Sequence, residues 1–307
     1  MSGRVELGTR VGTVMFPNPV FTASGTAGYG AELGAYVDLA GIGAVVVKSL
    51  SAEPWQGNPA PRVHPTIGGM INSVGLHNGG VGAWLVDHLP RLRRAGARVV
   101  ASIWGSTVEE FGRAAAMLAD AGPEVVAVEV NLSCPNLDAG RHLFAHSPRE
   151  TAAAISAAAA SGRPLWAKLS PNVTDLKPIA AAALDSGAEA LVLVNTMMGL
   201  AIEPDRARAR LGAGGGGLSG PAIHPIAVRA VYECRAAFPG AGIVGVGGVG
   251  RGVDAIEFLE AGADAVEVGT ATFANPRAPA LVLAEVERWC AARGIRRVAD
   301  LIGVAHA

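Results

Sequence analysis

The stretch VVAVEVNLS, residues 125–133, runs straight into CPN. It is rich in valine, carries one charge at Glu129, and ends in polar and proline residues. A short apolar run of this kind suits a strand buried on both faces, as in a parallel sheet. Seven similar runs lie along the chain: PVFTASG (19–25), AVVVKSL (44–50), RVVASIW (98–104), LWAKLSP (165–171), LVLVNT (191–196), GIVGVGGV (242–249) and AVEVGT (265–270). Helical patterns fall between them, at about 79–95, 148–161, 174–187, 223–238, 252–261 and 276–293, and in the segment from Ser106. In that segment Ser106 and Glu109 form a candidate capping box, Val108, Phe111, Ala115 and Leu118 repeat at helical spacing, and Gly122-Pro123 stops the helix. Strand–helix alternation of this length predicts one (β/α)8 TIM barrel domain over residues 1–307. Residues 4–15 read as a β-hairpin ahead of the first strand, plugging the bottom of the barrel. Two long connections, 51–78 and 197–222, are expected as active-site loops at the C-terminal face.

Composition narrows the function. Half the residues are hydrophobic, 17% are charged, and the net charge is −1. That balance supplies a large core and argues against nucleic-acid binding, which needs basic surface. The N-terminal MSGRVELGTRVG has no signal-peptide pattern, and no run of about 18 apolar residues suggests a membrane span. Cys134, Cys234 and Cys290 are too scattered for a disulfide framework or a four-ligand iron–sulfur cluster. A cytoplasmic protein is expected. The seven histidines show no metal-ligand spacing, so no metal site is expected, and Arg206, Arg208 and Arg210 read as a solvated face.

In such a barrel, chemistry sits at the C-terminal strand ends. Those ends carry Ser24, Lys48, Ser102, Asn131, Cys134, Lys168, Asn195-Thr196, Gly247-Gly248 and Gly269-Thr270. The glycines at strands 7 and 8 suit a backbone phosphate site, against the plainer reading of tight turns. Side-chain alternation aims Lys48 and Lys168 into the mouth. There they either pair with the inward Glu129 and Glu267 or stabilise negative charge on a ligand. Cys134 is either a small buried residue or an acid/base thiol. Glu129 is a rival base, about 6–7 Å deeper along its strand than Asn131. Asn72, Asn131 and Asn195 each offer a donor and an acceptor, which suits a planar ring bearing amides. Cys234 and Cys290 lie within helices as structural residues.

The segments NPVFTASGTAGYG, VVKSL, GNPAPR, GMINSVGLHN, VNLSCPN, KLSPN, VNTMMG, GGLSGPAIHPIAVR, VGGV and VGT occur in this order nearly end to end. In this the chain resembles the class 1 dihydroorotate dehydrogenases, which oxidise dihydroorotate to orotate in de novo pyrimidine synthesis. The resemblance implies FMN across the barrel mouth, held by Ser24, Lys48, Ser49, Asn131, Lys168, Val194, Gly220, Gly247, Gly248, Gly269 and Thr270. It implies substrate contacts at Lys48, Asn72, Ser73, Val74, Gly75, Leu76, Asn131, Asn195 and Thr196. It makes Cys134 the base that takes a proton from C5 while hydride passes from C6 to flavin N5.

One position departs from the family. A sequence like ANVAG is usual at strand 3, where this chain has ASIWG, so Ser102 stands in place of an asparagine near the flavin. The stretch SCPNLDAGRHLFAHSP resembles the NAD-linked (1B) catalytic subunit rather than the fumarate-linked homodimers. That subclass implies a partner subunit carrying FAD and a 2Fe-2S cluster, around a homodimer core or in a heterotetramer. Alternatives stay open: a dihydropyrimidine dehydrogenase-like enzyme acting on uracil-type rings, a tRNA dihydrouridine synthase, a flavin-free phosphate-binding lyase or isomerase, and a non-catalytic subunit.

Overall fold

The valine-rich runs form the expected strands in the computed structural model, which describes residues 5–134 and 142–307. They are β1 (Val20–Thr22), β2 (Val45–Val46), β3 (Val99–Ile103), β4 (Val125–Asn131), β5 (Leu165–Lys168), β6 (Ala188–Leu193), β7 (Gly242–Val246) and β8 (Ala265–Val268). Neighbours pair in parallel from β2 through β8 and on to β1. The ring closes where Thr22 N donates to Ala44 O at 3.1 Å and Gly43 N to Val20 O at 2.9 Å.

Helices α1 (Gly80–Asp87), α2 (Val108–Ala116), α3 (Pro148–Ala158), α4 (Lys177–Asp185), α5 (His224–Ala237), α6 (Gly252–Glu260) and α7 (Ala278–Ala292) follow β2 to β8. Only a 3-10 turn, Glu32–Ala35, occupies the helix position after β1. The helix expected over 79–95 is broken at His88, and a second segment runs Leu89–Arg94 with Pro90 in its first turn. Proline lacks the N–H that a continuous helix would use. The α2 cap also lies one residue later than expected. Thr107 is extended and accepts from Glu110 N, and the Glu110 carboxylate accepts from Ser106 N at 2.6 Å. Cys234 in α5 and Cys290 in α7 are buried.

The barrel interior is layered. An apolar layer holds Phe21, Val46, Val100, Ala127, Trp166, Val192, Val244 and Ala265. Phe21 stacks on Trp166 at 6.1 Å. The N-terminal hairpin, Thr9–Val11 and Val14–Phe16, seals it from below, with Phe16 4.7 Å from Phe21. Two residues further along each strand the inward positions turn polar: Ser102 after Val100, Glu129 after Ala127, Lys168 after Trp166, Glu267 after Ala265. All four are buried. Period-two alternation puts them directly above the apolar layer.

The two long connections are not plain loops. They supply a four-stranded antiparallel sheet ordered 197–199, 216–219, 69–72, 63–66. The pairing Asn72 to Gly217 joins residues far apart in sequence. Close approach explains the glycine run there. A Cβ on Gly217 would lie 2.0 Å from Thr196 Oγ1, and one on Gly216 would lie 2.3 Å from Asn72 O. Among the described residues, no helix is long and apolar enough to cross a membrane.

Candidate active site

Between the polar layer and the antiparallel sheet lies a cavity of about 990 Å³, its open mouth included. Ser24, Lys48, Ser49, Asn131, Lys168, Val194, Asn195 and Thr196 line it from the barrel side. Gly220, Gly247, Gly248, Gly269 and Thr270 close one end, and Asn72, Val74 and Leu76 face it from the cover.

Lys168 anchors the floor. Its Nζ donates to Glu267 Oε2 at 2.8 Å, Glu129 Oε2 at 3.2 Å and Ser24 Oγ at 3.3 Å. Burial alone would push this ammonium down, but the two carboxylates hold it up at about 12. Lys48 takes the other course. Burial, and then the charge of Lys168, bring it down to about 8. It forms no ion pair among the described residues, and its Nζ packs over Gly25. The same mouth thus holds one firmly charged lysine and one easily neutralised lysine. Glu129, weighed as a base, is a partner of Lys168 at the barrel floor.

A chain of hydrogen bonds fixes the amides. Asn195 Nδ2 donates to Asn131 Oδ1 at 3.0 Å, and Asn131 Nδ2 donates to Ser49 Oγ at 3.2 Å. Ser49 Oγ lies 2.9 Å from Ser102 Oγ. Ser102 is fully buried behind Ser49. Asn195 Oδ1 accepts from Thr196 N, and Asn72 Nδ2 donates to Gly217 O at 3.2 Å, tying the cover together.

Within 72–76 the side chains alternate. Asn72, Val74 and Leu76 face the cavity, whereas Ser73 turns away and accepts from Asn58 Nδ2 at 2.8 Å. Gly75 packs on Asn58 as well. Ser73 and Gly75 thus share the Asn58 side of this loop.

Cys134 is also off the wall. It is fully buried, with Sγ donating to Gly105 O at 3.1 Å and Asn131 O at 3.2 Å. Burial pushes the thiol up to about 12. In this arrangement it is a protonated donor.

At the glycine end, Gly247 and Gly248 adopt positive φ of 142° and 72°. The reading from sequence passed over two partners there. His224 Nδ1 lies 2.9 Å from Gly247 O and its Nε2 lies 3.0 Å from Glu257, bracing the loop from behind. Ser219 lines the cavity and its Oγ lies 2.8 Å from Thr270 Oγ1, linking cover to barrel. Both sit in GGLSGPAIHP, whose glycines drew attention ahead of its polar side chains. Arg206 and Arg208 pair with Glu203 on the surface, as a solvated face would.

The comparisons with known proteins fall on this geometry. The family model described as Dihydroorotate dehydrogenase matches residues 6–289. The catalytic subunit of dihydroorotate dehydrogenase B (NAD(+)) from Desulforudis audaxviator is 47% identical, over 99% of this chain and 98% of that one. A putative dihydroorotate dehydrogenase A (fumarate) from Solibacter usitatus is also 47% identical, over 97% of this chain and 98% of that one. A crystal structure of DHODH in complex with ferulenol from Eimeria tenella superposes with a TM-score of 0.80, at 24% identity, covering 98% of this chain and 89% of that chain. At that identity it speaks for the fold alone. With the family model spanning most of the barrel and relatives matched nearly end to end, the chain belongs to the dihydroorotate dehydrogenase family.

Proposed function

We propose that this cavity binds FMN and dihydroorotate and oxidises the C5–C6 bond to give orotate, the redox step of pyrimidine synthesis. The observation that carries the reading is one cavity with a glycine-lined end, a lysine-anchored floor and a wall of linked asparagines. The glycine end and the lysine floor suit FMN, and the asparagines suit a pyrimidine. Gly220, Gly247, Gly248 and Gly269 let backbone approach a phosphate, and Thr270 adds a hydroxyl. Lys168 places a fixed cation beneath the ring site, where it favours negative charge. Val194 offers an apolar contact. The flavin, when bound, supplies the acceptor for the C6 hydride.

The chain's own groups do the rest. Asn131, Asn195 and Asn72 hold the pyrimidine amides in place, since each is itself oriented by a neighbour. Thr196 and the backbone at Leu76 bound the substrate end. Lys48, as a cation, receives the carboxylate. Cys134 takes the C5 proton. To do so its thiol leaves the carbonyls of Gly105 and Asn131 and gives its own proton to solvent water before substrate binds, so that it meets C5 as a thiolate. The antiparallel sheet excludes water from these contacts.

In the NAD-linked reading a partner subunit with FAD and a 2Fe-2S cluster passes the electrons on to NAD. The name of the Desulforudis relative, the catalytic subunit of an NAD(+) enzyme, supports the partner subunit and the acceptor. The fumarate-linked name on an equally similar relative supports the second reading, a self-sufficient enzyme. The decisive test is an anaerobic visible spectrum of the purified protein with and without dihydroorotate. A flavin band that bleaches supports the reaction. A band that stays moves the substrate to other pyrimidines, and no flavin after reconstitution with FMN overturns the reading. Reoxidation by fumarate without any partner would select the second acceptor.

A further inference from the structure

Beneath the ring site, Glu129 on β4 and Glu267 on β8 are completely buried, and each directs one oxygen to the same ammonium, Lys168 Nζ. The other oxygen of each, Oε1, is buried with no hydrogen-bond partner among the described residues. Two carboxylates against one ammonium would leave an uncompensated negative charge in the barrel. Taking an ion out of water is costly even after relaxation. It would also leave two bare carboxylate oxygens unsatisfied.

We infer that Glu129 and Glu267 hold one proton between them, so that with Lys168 they form a buried trio of zero net charge. A carboxylic acid on one residue donates to the carboxylate of the other, which gives the orphaned oxygens a partner. Two carboxyls forced into one site ordinarily settle this way, because both cannot ionise at close range. Burial, and with it the nearby charge of Glu129, pushes Glu267 well above the usual carboxylate range even with Lys168 opposing.

The other groups facing the trio do not change the count. Ser24 is neutral and accepts from Lys168. Below lies the apolar layer of Trp166 and Phe21. Among the described residues lining the mouth, Lys48 is the other cation. It makes no ion pair with either carboxylate, and the charge it responds to is that of Lys168. It is therefore free to serve ligands.

The consequence for the reaction rests on the function proposed above. A neutral trio lets Lys168 present its charge upward without a net negative floor opposing it. Glu129 and Glu267 are positioning residues that act through Lys168.

The test is isotope-edited infrared spectroscopy of the full protein carrying 13C-carboxyl glutamate, which separates glutamic acid bands from flavin carbonyls. We expect one buried protonated carboxyl band at neutral pH in the wild type. Glu129→Gln and Glu267→Gln should each abolish it, because a lone carboxyl beside Lys168 ionises. Lys168→Met should strengthen it, because neither carboxyl then has a counter-ion. A wild type without the band overturns the inference, and needs no variant to fold. A band that survives both glutamine substitutions also overturns it. Bleaching by dihydroorotate is read separately. Protein that bleaches but lacks the band sinks the proton count alone, and protein with the band that never bleaches sinks the reaction alone.

Discussion

On the cavity floor, Lys168, Glu129 and Glu267 are buried and locked to one another across three strands. On the cover, Val63 is 50% exposed and Ile67, Met198 and Leu200 more so, and glycines stand in both inner strands, at Gly69, Gly216 and Gly217. The floor is held by side chains that cannot move without stranding a charge. The cover is held by backbone pairing and close glycine contacts, with little buried side-chain area of its own. Segments with few buried apolar contacts open at lower cost than core strands. The molecule thus keeps its electrostatics in the rigid part and its shape selection in the part that can give way.

A lesion in the floor should be the most damaging. Lys168→Met leaves the two glutamates without their cation, and breaking a buried pair costs about 3–5 kcal/mol. We expect a large fall in thermal midpoint together with loss of bound flavin, checked by unfolding scans and the visible spectrum. A variant that keeps both would show that the floor is not the electrostatic anchor. Cys134→Ala comes next. Loss of a general base costs about 10²–10⁴-fold in turnover, with flavin retained. Because burial holds this thiol at about 12, wild-type turnover should keep climbing with pH through the alkaline range. A plateau near neutrality that is unchanged in Cys134→Ala would assign the proton transfer elsewhere.

The contrast between floor and cover also separates what sequence reading could reach. Lys48, Glu129, Lys168 and Glu267 were legible as inward-facing because strand periodicity is strictly two and the apolar residues below them set the phase. Their division into one firmly held lysine and one easily neutralised lysine was not, since it depends on which strand faces which across the barrel. The cover was read as loops. Its strands are three or four residues long, and Asn72 finds Gly217 at a separation of 145 residues, so no local pattern announces them. Cys134 looked like a residue of a polar loop. Its burial follows from the Gly105 carbonyl after β3, supplied by a distant segment. Position along β3 aims Ser102 at the mouth, but does not reveal that Ser49 lies over it, with the two hydroxyl oxygens 2.9 Å apart. Nothing in the local sequence marks the cis peptide between Leu193 and Val194 beside the cavity.

A lesion in the cover should be milder and different in kind. Gly217→Ala drives a methyl group into Thr196, which borders the cavity. Overpacking of this sort costs about 1–3 kcal/mol. Because the cover gives way before the barrel, we expect that cost in substrate affinity. The KM for dihydroorotate should rise about tenfold, equivalent to about 1.4 kcal/mol, with flavin content unchanged. A loss of flavin instead would mean that the cover and the floor are one cooperative unit.

The smallest effect sits where the two regions meet, at Lys48. Its folded value of about 8 lies below the ordinary 10.5. Between those values the unfolded chain binds more protons than the folded one, so this residue makes ligand-free protein more stable as pH rises. Lys168 has the opposite sign. Held at about 12, it contributes stability below its ordinary value that is lost only as pH climbs through 12. The buried thiols of Cys134 and Cys234, both near 12 when folded against an ordinary 9.0, subtract stability above pH 9. The window from pH 8 to 9 therefore isolates Lys48. Wild type should gain about 1 kcal/mol across it relative to Lys48→Met, read as the difference between two denaturant titrations. A parallel response of the two proteins would mean that Lys48 stays charged in the empty cavity, as firmly held as the floor beneath it.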